Sequence, residues 1–138
     1  MSQNLKNHRR FYPLFHFIFV PVTVFFIFHS ILGLIHEPNY LNSALTGAFI
    51  LIFLAGFCAR ISAIKAQDRA IKVEVGLRYF ILSGKALPAT LRLGQIVALR
   101  FAPDEELVAL TEKAGKEQLS SSDIKHQIQN WKPDTHRV

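Results

Sequence analysis

The sequence predicts an all-α membrane protein in which a two-helix transmembrane hairpin is followed by a short helical cytoplasmic tail. Half of its residues are hydrophobic, 12 are Phe, and the mean hydropathy is +0.23. The charge is also segregated, because Glu37 is the only formally charged residue between Arg10 and Arg60. A soluble core is normally built from apolar residues interleaved with polar ones, so this block predicts membrane-spanning segments.

Two uncharged runs within this block have the length of membrane-spanning helices. Residues 14–35 and 38–59 contain no Asp, Glu, Lys or Arg, and about 20 apolar residues suffice for a helix to cross the hydrocarbon core. Pro38 and Asn39 suit a tight reversal between them. The predicted organisation is a basic N-terminus at 1–13, a first transmembrane helix at 14–36, a short extracytoplasmic turn at 37–41 and a second transmembrane helix at 42–64.

Basic residues lie on both outer flanks of the two runs and are absent from the turn. The positive-inside rule therefore predicts that both termini are cytoplasmic. A cleaved signal peptide is disfavoured, because the first apolar run is too long and no small-residue cleavage site follows it. The flanking residues predicted to contact lipid head groups are Arg9, Arg10, Arg60, Lys65, Arg69 and Lys72.

Each predicted transmembrane helix has one distinctive feature. Pro21 removes a backbone donor and is predicted to bend the first helix. The second helix carries small residues on one face, and small residues let helix backbones approach closely. We therefore predict that this face meets the first helix or another subunit; its residues are Ala44, Ala48, Ala55 and Ala59.

Three histidines, His16, His29 and His36, lie in or beside the first predicted helix. Ionisable residues inside a membrane are costly and are often functional. His29 lies deepest and is the single cofactor-binding candidate, for a haem or metal site or a proton relay. The second helix has no His, so paired axial ligands would require a homo-oligomer. The alternative is an ordinary hydrogen bond from His29 to Thr23, Ser43 or a backbone carbonyl. No metal site and no bound cofactor are predicted.

Residues 65–87 are predicted to form a basic juxtamembrane helix. Residues 71–79 alternate apolar and polar side chains, which is also typical of a strand. The sequence leaves helix and strand open there, and the helix is favoured because no comparable strand is present to pair with it. In a helix, Glu74 and Arg78 would form an ion pair one turn apart.

Residues 88–138 are predicted to form a helical cytoplasmic tail. A short helix is expected over 94–101, and Pro103 followed by acidic residues marks the start of the next helix. The run from Ser120 to Asp123 caps a last helix that is expected to continue to Pro133. The apolar positions proposed as partner-docking candidates are Leu107, Leu110, Ile124, Ile128 and Trp131.

The net charge changes sign along the tail. Residues 60–100 hold eight basic and two acidic residues, a net charge of +6, whereas residues 101–138 hold five basic and seven acidic residues, a net charge of −2. The basic half adjoins the membrane, where anionic lipids attract Lys and Arg. A net acidic helix pair does not suit a nucleic acid. The predicted partners are membrane lipids and either another protein or a second copy of the chain.

Several stretches resemble a bacterial family of two-span membrane proteins of unknown function. They are residues 7–11, 65–69, 95–101, 104–107 and 124–131, together with Asp134, Arg137 and Val138. The resemblance extends over nearly the whole chain. It implies two membrane spans and a location in the bacterial cytoplasmic membrane, and it implies no activity.

No catalytic constellation is apparent in the sequence. Cys58, the only cysteine, has no obvious His or acidic partner and is predicted to serve packing. The leading hypothesis is a membrane-anchored interaction or accessory protein that is not an enzyme, its tail docking a partner or self-associating. The alternatives are a small channel or transporter subunit formed by oligomerisation and a His-based redox or haem subunit of a membrane complex.

Overall fold

The computed structural model describes residues 12–134, which contain five α-helices and no strand. This confirms the predicted all-helical class. A π-helical stretch at Leu14–Phe19 leads into α1 at Val20–His36, and the remaining helices are α2 at Tyr40–Ser83, α3 at Leu93–Leu99, α4 at Asp104–Lys116 and α5 at Ser121–Gln127. The described residues divide into two compact units, 12–64 and 65–134. The lipid-contact predictions for Arg9 and Arg10 lie outside the described residues.

The first unit holds two helical segments that are long and apolar enough to cross a membrane, judged by length and composition. They are Leu14–His36, of 23 residues, and Tyr40–Ser83, of 44 residues. The second is about twice the ~20 residues that a crossing requires. Within residues 12–64 only Thr23 and Thr46 are buried, so almost every apolar side chain of this unit is on its surface.

The π-helical stretch ends at Phe19, two residues before Pro21. The Val20 N–H donates to the Phe15 carbonyl five residues earlier, which is the π-helical pattern. In an α-helix the Pro21 ring would clash with the Phe17 carbonyl and leave it without a donor. The wider π turn is a physical solution to that conflict.

Ring contacts in the first unit join the π-helical stretch and α1 to the first half of α2. The Phe26 ring stacks on Phe49 with centroids 5.1 Å apart, and the Phe15 ring meets Phe57 at 5.4 Å. At the turn, Asn39 Oδ1 accepts the Asn42 N–H at 2.8 Å, which caps the start of α2.

The side of α2 that contacts α1 is not the predicted alanine face. Gly56 faces the Phe19 ring so closely that a Cβ there would collide with it. Thr46, which lies closer to the start of α2, is buried. The alanines at 44, 48, 55 and 59 are all exposed. An aromatic ring packed on a glycine fills the helix interface, so the alanines are not needed for the close approach. Cys58 is likewise exposed rather than packed.

Helix α2 continues without interruption through residues 71–79, so this segment is a helix and not a strand. Ile71, Val75 and Tyr79 recur at helical spacing and are 6%, 0% and 2% exposed. The apparent alternation arises because Val73 and Leu77 project elsewhere and are exposed. The helix ends at Ser83, before the boundary of 87 set from the sequence. Gly84 adopts a φ of +69° there, which is a common helix ending.

The second unit has an apolar core of its own. Ile71 and Val75 of α2 join the apolar side chains of the segments that follow, with Leu99, Phe101 and Leu107 at its centre. Helix α4 begins after Pro103 as expected, with three acidic residues in its first turn. Ser120 and Asp123 form the reciprocal capping box that starts α5.

Helix α5 ends at Gln127, earlier than the sequence predicted. Ile128 has an extended backbone conformation, and the next two N–H groups, of Gln129 and Asn130, donate to the Glu106 carboxylate at 3.0 Å each. These bonds replace the helical ones that would have continued toward Pro133. The Lys132 N–H then donates to the Phe101 carbonyl at 2.9 Å, which holds the segment against the core.

Candidate functional site

A cationic cleft lies in the second unit. Its volume is about 480 Å³. One wall is basic and belongs to α2, and the floor and other wall are apolar and belong to the segment around the start of α3. The residues that form this cationic cleft are Lys65, Asp68, Arg69, Lys72, Leu91, Leu93 and Ile96.

Helical periodicity sets the basic wall. Lys65, Arg69 and Lys72 are spaced by four and three residues, so they share one stripe of α2, and all three are exposed. Asp68 is half-buried and is the only acidic residue of the cleft. The formal charge of the cleft is therefore positive, which suits an anionic ligand.

The apolar wall is fixed by the fold of the segment before α3. Leu91 and Ile96 are buried, whereas Leu93 is 47% exposed. The buried Gln95 side chain positions this wall, because its Oε1 accepts the Arg92 N–H at 2.6 Å and its Nε2 donates to the Leu119 carbonyl at 2.7 Å. A cleft with cations on one wall and apolar groups on the other matches an amphiphile with an anionic head group.

An arginine clamp holds the loop before α4 against α2. Arg78 donates to Asp104 Oδ1 from Nε at 2.9 Å and from Nη2 at 2.6 Å, and Nη2 also donates to the Ala102 carbonyl at 2.8 Å. The Arg78 hydrogen bond and charge hold the pKa of Asp104 below its ordinary value. The predicted pair between Glu74 and Arg78 is absent within residues 12–134, because Arg78 is directed to Asp104 instead.

The residues predicted to dock a partner lie in or against the core of the second unit. Leu107 and Ile124 are fully buried, and Leu110 and Ile128 are 7% and 6% exposed. Trp131 is half-buried, with its ring 4.6 Å from that of Phe101. Their apolar spacing reflected intramolecular packing, so they offer a partner little surface in this fold.

Arg60, another predicted lipid contact, belongs to the first unit. Its guanidinium carbon lies 5.8 Å from the centre of the Tyr12 ring and 5.9 Å from that of Phe15. These distances are at the outer limit of cation–π attraction. The arrangement leaves the charged end of Arg60 partly exposed.

His29 is exposed on the first unit and is surrounded by aromatic rings. Its ring lies 4.5 Å from that of Phe25 and 6.3 Å from that of Phe28. The hydroxyls expected to bond it are used elsewhere, since Thr23 donates to the Phe19 carbonyl and Ser43 to the Asn39 carbonyl. Residues 12–134 contain no group of three His, Cys, Asp or Glu side chains that could hold a metal ion.

The hydroxyls of the first unit are also poorly placed to line a pore. Thr46 donates to the Asn42 carbonyl at 2.8 Å, one helical turn earlier, as Thr23 and Ser43 do to their own helices. A hydroxyl that donates to its own backbone keeps its lone pairs for a cation, but Thr23 and Thr46 are buried within this unit. This geometry gives the channel alternative no specific support.

Sequence reasoning missed three residues that organise the structure: Asn42, Gly56 and Arg78. Asn42 Nδ2 donates to the Gly33 carbonyl at 3.1 Å and to the Glu37 carbonyl at 2.8 Å, which ties α2 to the end of α1. A polar residue inside an apolar run was the available signal for Asn42. Gly56 and Arg78 carried no comparable local signal.

One family profile, described as a family of unknown function, matches residues 1–138. No curated protein and no solved structure matches the sequence significantly. The geometry of the chain therefore has to supply the functional argument.

Proposed function

The chain belongs to DUF6526, the family of unknown function whose profile covers all of it, and we propose that it is a membrane-anchored accessory protein rather than an enzyme. In this proposal the π-helical stretch with α1, and the first part of α2, cross a bacterial cytoplasmic membrane as an antiparallel hairpin. Both termini lie in the cytoplasm. The second unit is a small domain that binds anionic lipid head groups in the cationic cleft.

The observation that carries the anchor is the surface of the first unit. Its exposed side chains include Phe17 at 69%, Leu51 at 67% and Ile35 at 69%. In water each such side chain forfeits about 1.5–3 kcal/mol relative to burial, and a lipid environment removes that cost. The contacts of Phe26 with Phe49 and Phe15 with Phe57 support the antiparallel pairing.

The distribution of basic residues supports the orientation. The turn between the two helices has no Lys or Arg, whereas Arg60 and Lys65 follow the second apolar run. The side with the excess of Lys and Arg is the cytoplasmic one under the positive-inside rule. The small domain of residues 65–134 is then cytoplasmic as well.

The cationic cleft supports lipid binding by the small domain. Lys65 and Lys72 provide donors for a phosphate, and Leu93 provides an exposed apolar surface for the start of an acyl chain. Each Lys or Arg near an anionic membrane surface contributes about 1 kcal/mol of attraction. Lipid binding would fix the domain against the membrane and leave its remaining surface available.

Topology is tested by cysteine labelling of the full chain in cells. Two variants in a Cys58→Ser background carry Tyr40→Cys, at the start of α2 beside the turn, or Glu117→Cys, after α4; both positions are exposed. A membrane-impermeant maleimide is expected to label Tyr40→Cys in intact cells and Glu117→Cys only after permeabilisation. Labelling of both before permeabilisation, or recovery of the protein in the soluble fraction, would refute the anchor.

Lipid binding is tested by native mass spectrometry of the full chain released from nanodiscs. We expect phosphatidylglycerol to remain bound and phosphatidylcholine to be lost, with retention reduced at least tenfold in Lys65→Gln/Lys72→Gln. The matched control is Lys85→Gln/Lys116→Gln, which removes the same charge outside the cleft. Equal losses in the two variants would reject the cleft as the binding site. Competition by inorganic phosphate separates free phosphate from lipid as the ligand.

A further inference from the structure

The second half of α2 has an exposed apolar stripe on the side away from the core. We call it the outer stripe and define it as Ala66, Ala70, Val73, Leu77 and Phe80. Val73, Leu77 and Phe80 are 69%, 57% and 55% exposed, whereas Ile71 and Val75 of the same helix are buried in the core of the small domain. This part of α2 is therefore apolar on two sides, and only one of them is covered. Large apolar side chains left in water on a cytoplasmic domain indicate an interaction surface.

The spacing of the outer stripe is that of a coiled-coil seam. Its members are separated by four, three, four and three residues, the alternation of heptad positions d and a. Ala70 and Leu77 then occupy a positions, and Ala66, Val73 and Phe80 occupy d positions. All five are exposed. Any apolar helix face can have this spacing, so the charges beside the stripe carry the argument for a second helix.

The charges beside the stripe complement each other between two parallel copies. Arg69 lies at a g position and Glu74 at the following e position, five residues later. In parallel two-stranded coiled coils, g and e residues with this offset form ion pairs between helices, whereas antiparallel pairing brings g against g and e against e. Both side chains are exposed, and neither has an ion pair among residues 12–134. Like charges would oppose an antiparallel arrangement.

We propose that the outer stripe is the seam of a parallel coiled coil with a second copy of this chain, in which Arg69 of each copy pairs with Glu74 of the other. A symmetric dimer uses the same patch on both subunits, and the charges beside this apolar patch are complementary between two copies. The parallel direction rests on the proposed membrane anchor, which gives all copies one orientation. A second copy of the chain is then the partner of the proposed accessory protein.

The apolar part of α2, taken by itself, has an exposed face on which most residues are small. Ala48, Ile52, Ala55 and Ala59 follow one another at four, three and four residues, and all are exposed. Small side chains are typical of contacts between membrane-spanning helices. The predicted packing role of the alanine face thus remains open for a second subunit.

Disulfide trapping tests the seam in the full chain, reconstituted in lipid vesicles. In a Cys58→Ser background, Leu77→Cys places a thiol on the outer stripe, and Leu82→Cys places one on the same helix off the stripe; Leu82 is also exposed, at 43%. Mild oxidation is expected to convert most Leu77→Cys chains to a covalent dimer and few Leu82→Cys chains. Equal yields from the two variants, or no dimer from Leu77→Cys, would overturn the proposal.

Charge exchange tests the pairing direction and the partner together. Arg69→Glu and Glu74→Arg alone are each expected to raise the dimer dissociation constant about tenfold, because each replaces two ion pairs by two repulsions. The double variant Arg69→Glu/Glu74→Arg is expected to restore wild-type dimerisation. Analytical ultracentrifugation in detergent measures the constant. Failure of the double variant to restore it contradicts the proposed pairing.

The topology variants Tyr40→Cys and Glu117→Cys separate the dimer from the proposed anchor. A chain that is monomeric but keeps the expected labelling of Tyr40→Cys and Glu117→Cys refutes the dimer and leaves the anchor intact. Quenching of a fluorophore at Leu77→Cys by a lipid-attached quencher would assign the stripe to the membrane surface and overturn the dimer. A soluble chain with unexpected labelling refutes the anchor itself.

Discussion

The two units of this chain are both helical, but only one of them carries a core. Residues 12–64 bury only two threonines and leave their apolar side chains exposed or half-buried, whereas the core of the second unit contains 13 buried apolar residues. The composition of the first unit is the more hydrophobic, so its lack of a core is not a shortage of apolar groups. The difference supports the proposed anchor, in which an apolar solvent covers the first unit, whereas the second unit covers its own apolar groups.

The hydrogen bonds of polar side chains also differ between the two units. In the first unit the hydroxyls of Thr23, Ser43 and Thr46 donate to carbonyls of their own helices. In the second unit, Arg78 reaches Asp104 and Gln95 reaches Leu119, 26 and 24 residues away. Local satisfaction suits a segment with no water to rely on, and long-range bonds specify one tertiary arrangement.

The largest expected effect comes from opening the core of the second unit. Leu107→Ala removes a fully buried side chain and is expected to lower the free energy of unfolding of this unit by about 3 kcal/mol. Leu82→Ala, at an exposed position of the same residue type, is expected to cost under about 1 kcal/mol. Limited proteolysis of the full chain in lipid across a urea series measures both. Equal costs would contradict an independent core.

Removal of the arginine clamp is expected to have the next largest effect. Arg78→Met leaves the Asp104 carboxylate and the Ala102 carbonyl without their donor, at an expected cost of about 2 kcal/mol. Arg78→Lys keeps the charge but loses the planar fork, so it is expected to recover only part of that stability. Hydrogen exchange of the amides of α4 reports the change. Full recovery in Arg78→Lys would show that charge alone matters.

A bulky residue at the helix contact tests the packing of the first unit. Gly56→Val would force its side chain into the Phe19 ring and is expected to cost about 1–3 kcal/mol. The matched control is Gly47→Val, where a Cβ meets nothing within 4 Å. Unfolding in mixed micelles titrated with dodecyl sulfate compares them. Equal stability of the two variants would refute the contact between Phe19 and Gly56.

Acid is expected to weaken the second unit through Asp104. Its pKa is lowered in the folded chain by the Arg78 hydrogen bond and charge, so the carboxylate contributes stability above the pKa of the unfolded state, near 3.9. This contribution is lost as the pH falls through the lowered pKa of Asp104 in the folded chain. Because the carboxylate is largely exposed to solvent, the loss is small. Asp104→Asn is expected to flatten this part of a stability–pH curve, and an unchanged slope would contradict the coupling.

The smallest effect concerns Thr111 in α4. Its hydroxyl is buried and makes no hydrogen bond within residues 12–134. Thr111→Val removes the unsatisfied group at nearly constant volume, so it is expected to be neutral or to stabilise the unit by up to about 1 kcal/mol. Thermal unfolding followed by circular dichroism provides the measurement. A clear destabilisation would indicate that the hydroxyl has a partner in solution.

Sequence reasoning succeeded where a local pattern determines the outcome. The apolar runs and their charged flanks predicted two long helices, and Pro103 and Ser120 predicted the starts of α4 and α5. It left residues 71–79 open, because α2 is apolar on two sides there and its pattern mimics alternation. The physical cause became visible only with the core that Ile71 and Val75 contact.

Sequence reasoning failed where a residue distant in the chain determines where a helix ends or which partner a side chain contacts. The end of α5 depends on Glu106, more than 20 residues earlier, and the pairing of Arg78 depends on Asp104 rather than on nearby Glu74. Four of the five proposed docking residues lie buried in the core of the second unit, and Trp131 is half-buried against it. Periodicity identifies a buried face without identifying what buries it.

The most direct test of the contrast between the units is the solvent around one exposed residue of each. Spin labels at Leu51→Cys and Glu112→Cys, in a Cys58→Ser background and in lipid vesicles, report collisions with oxygen and with a water-soluble nickel chelate. We expect the label at 51 to favour oxygen, which concentrates in the hydrocarbon core, and the label at 112 to favour the chelate. Equal access of the chelate to both positions would contradict the membrane anchor on which the account rests.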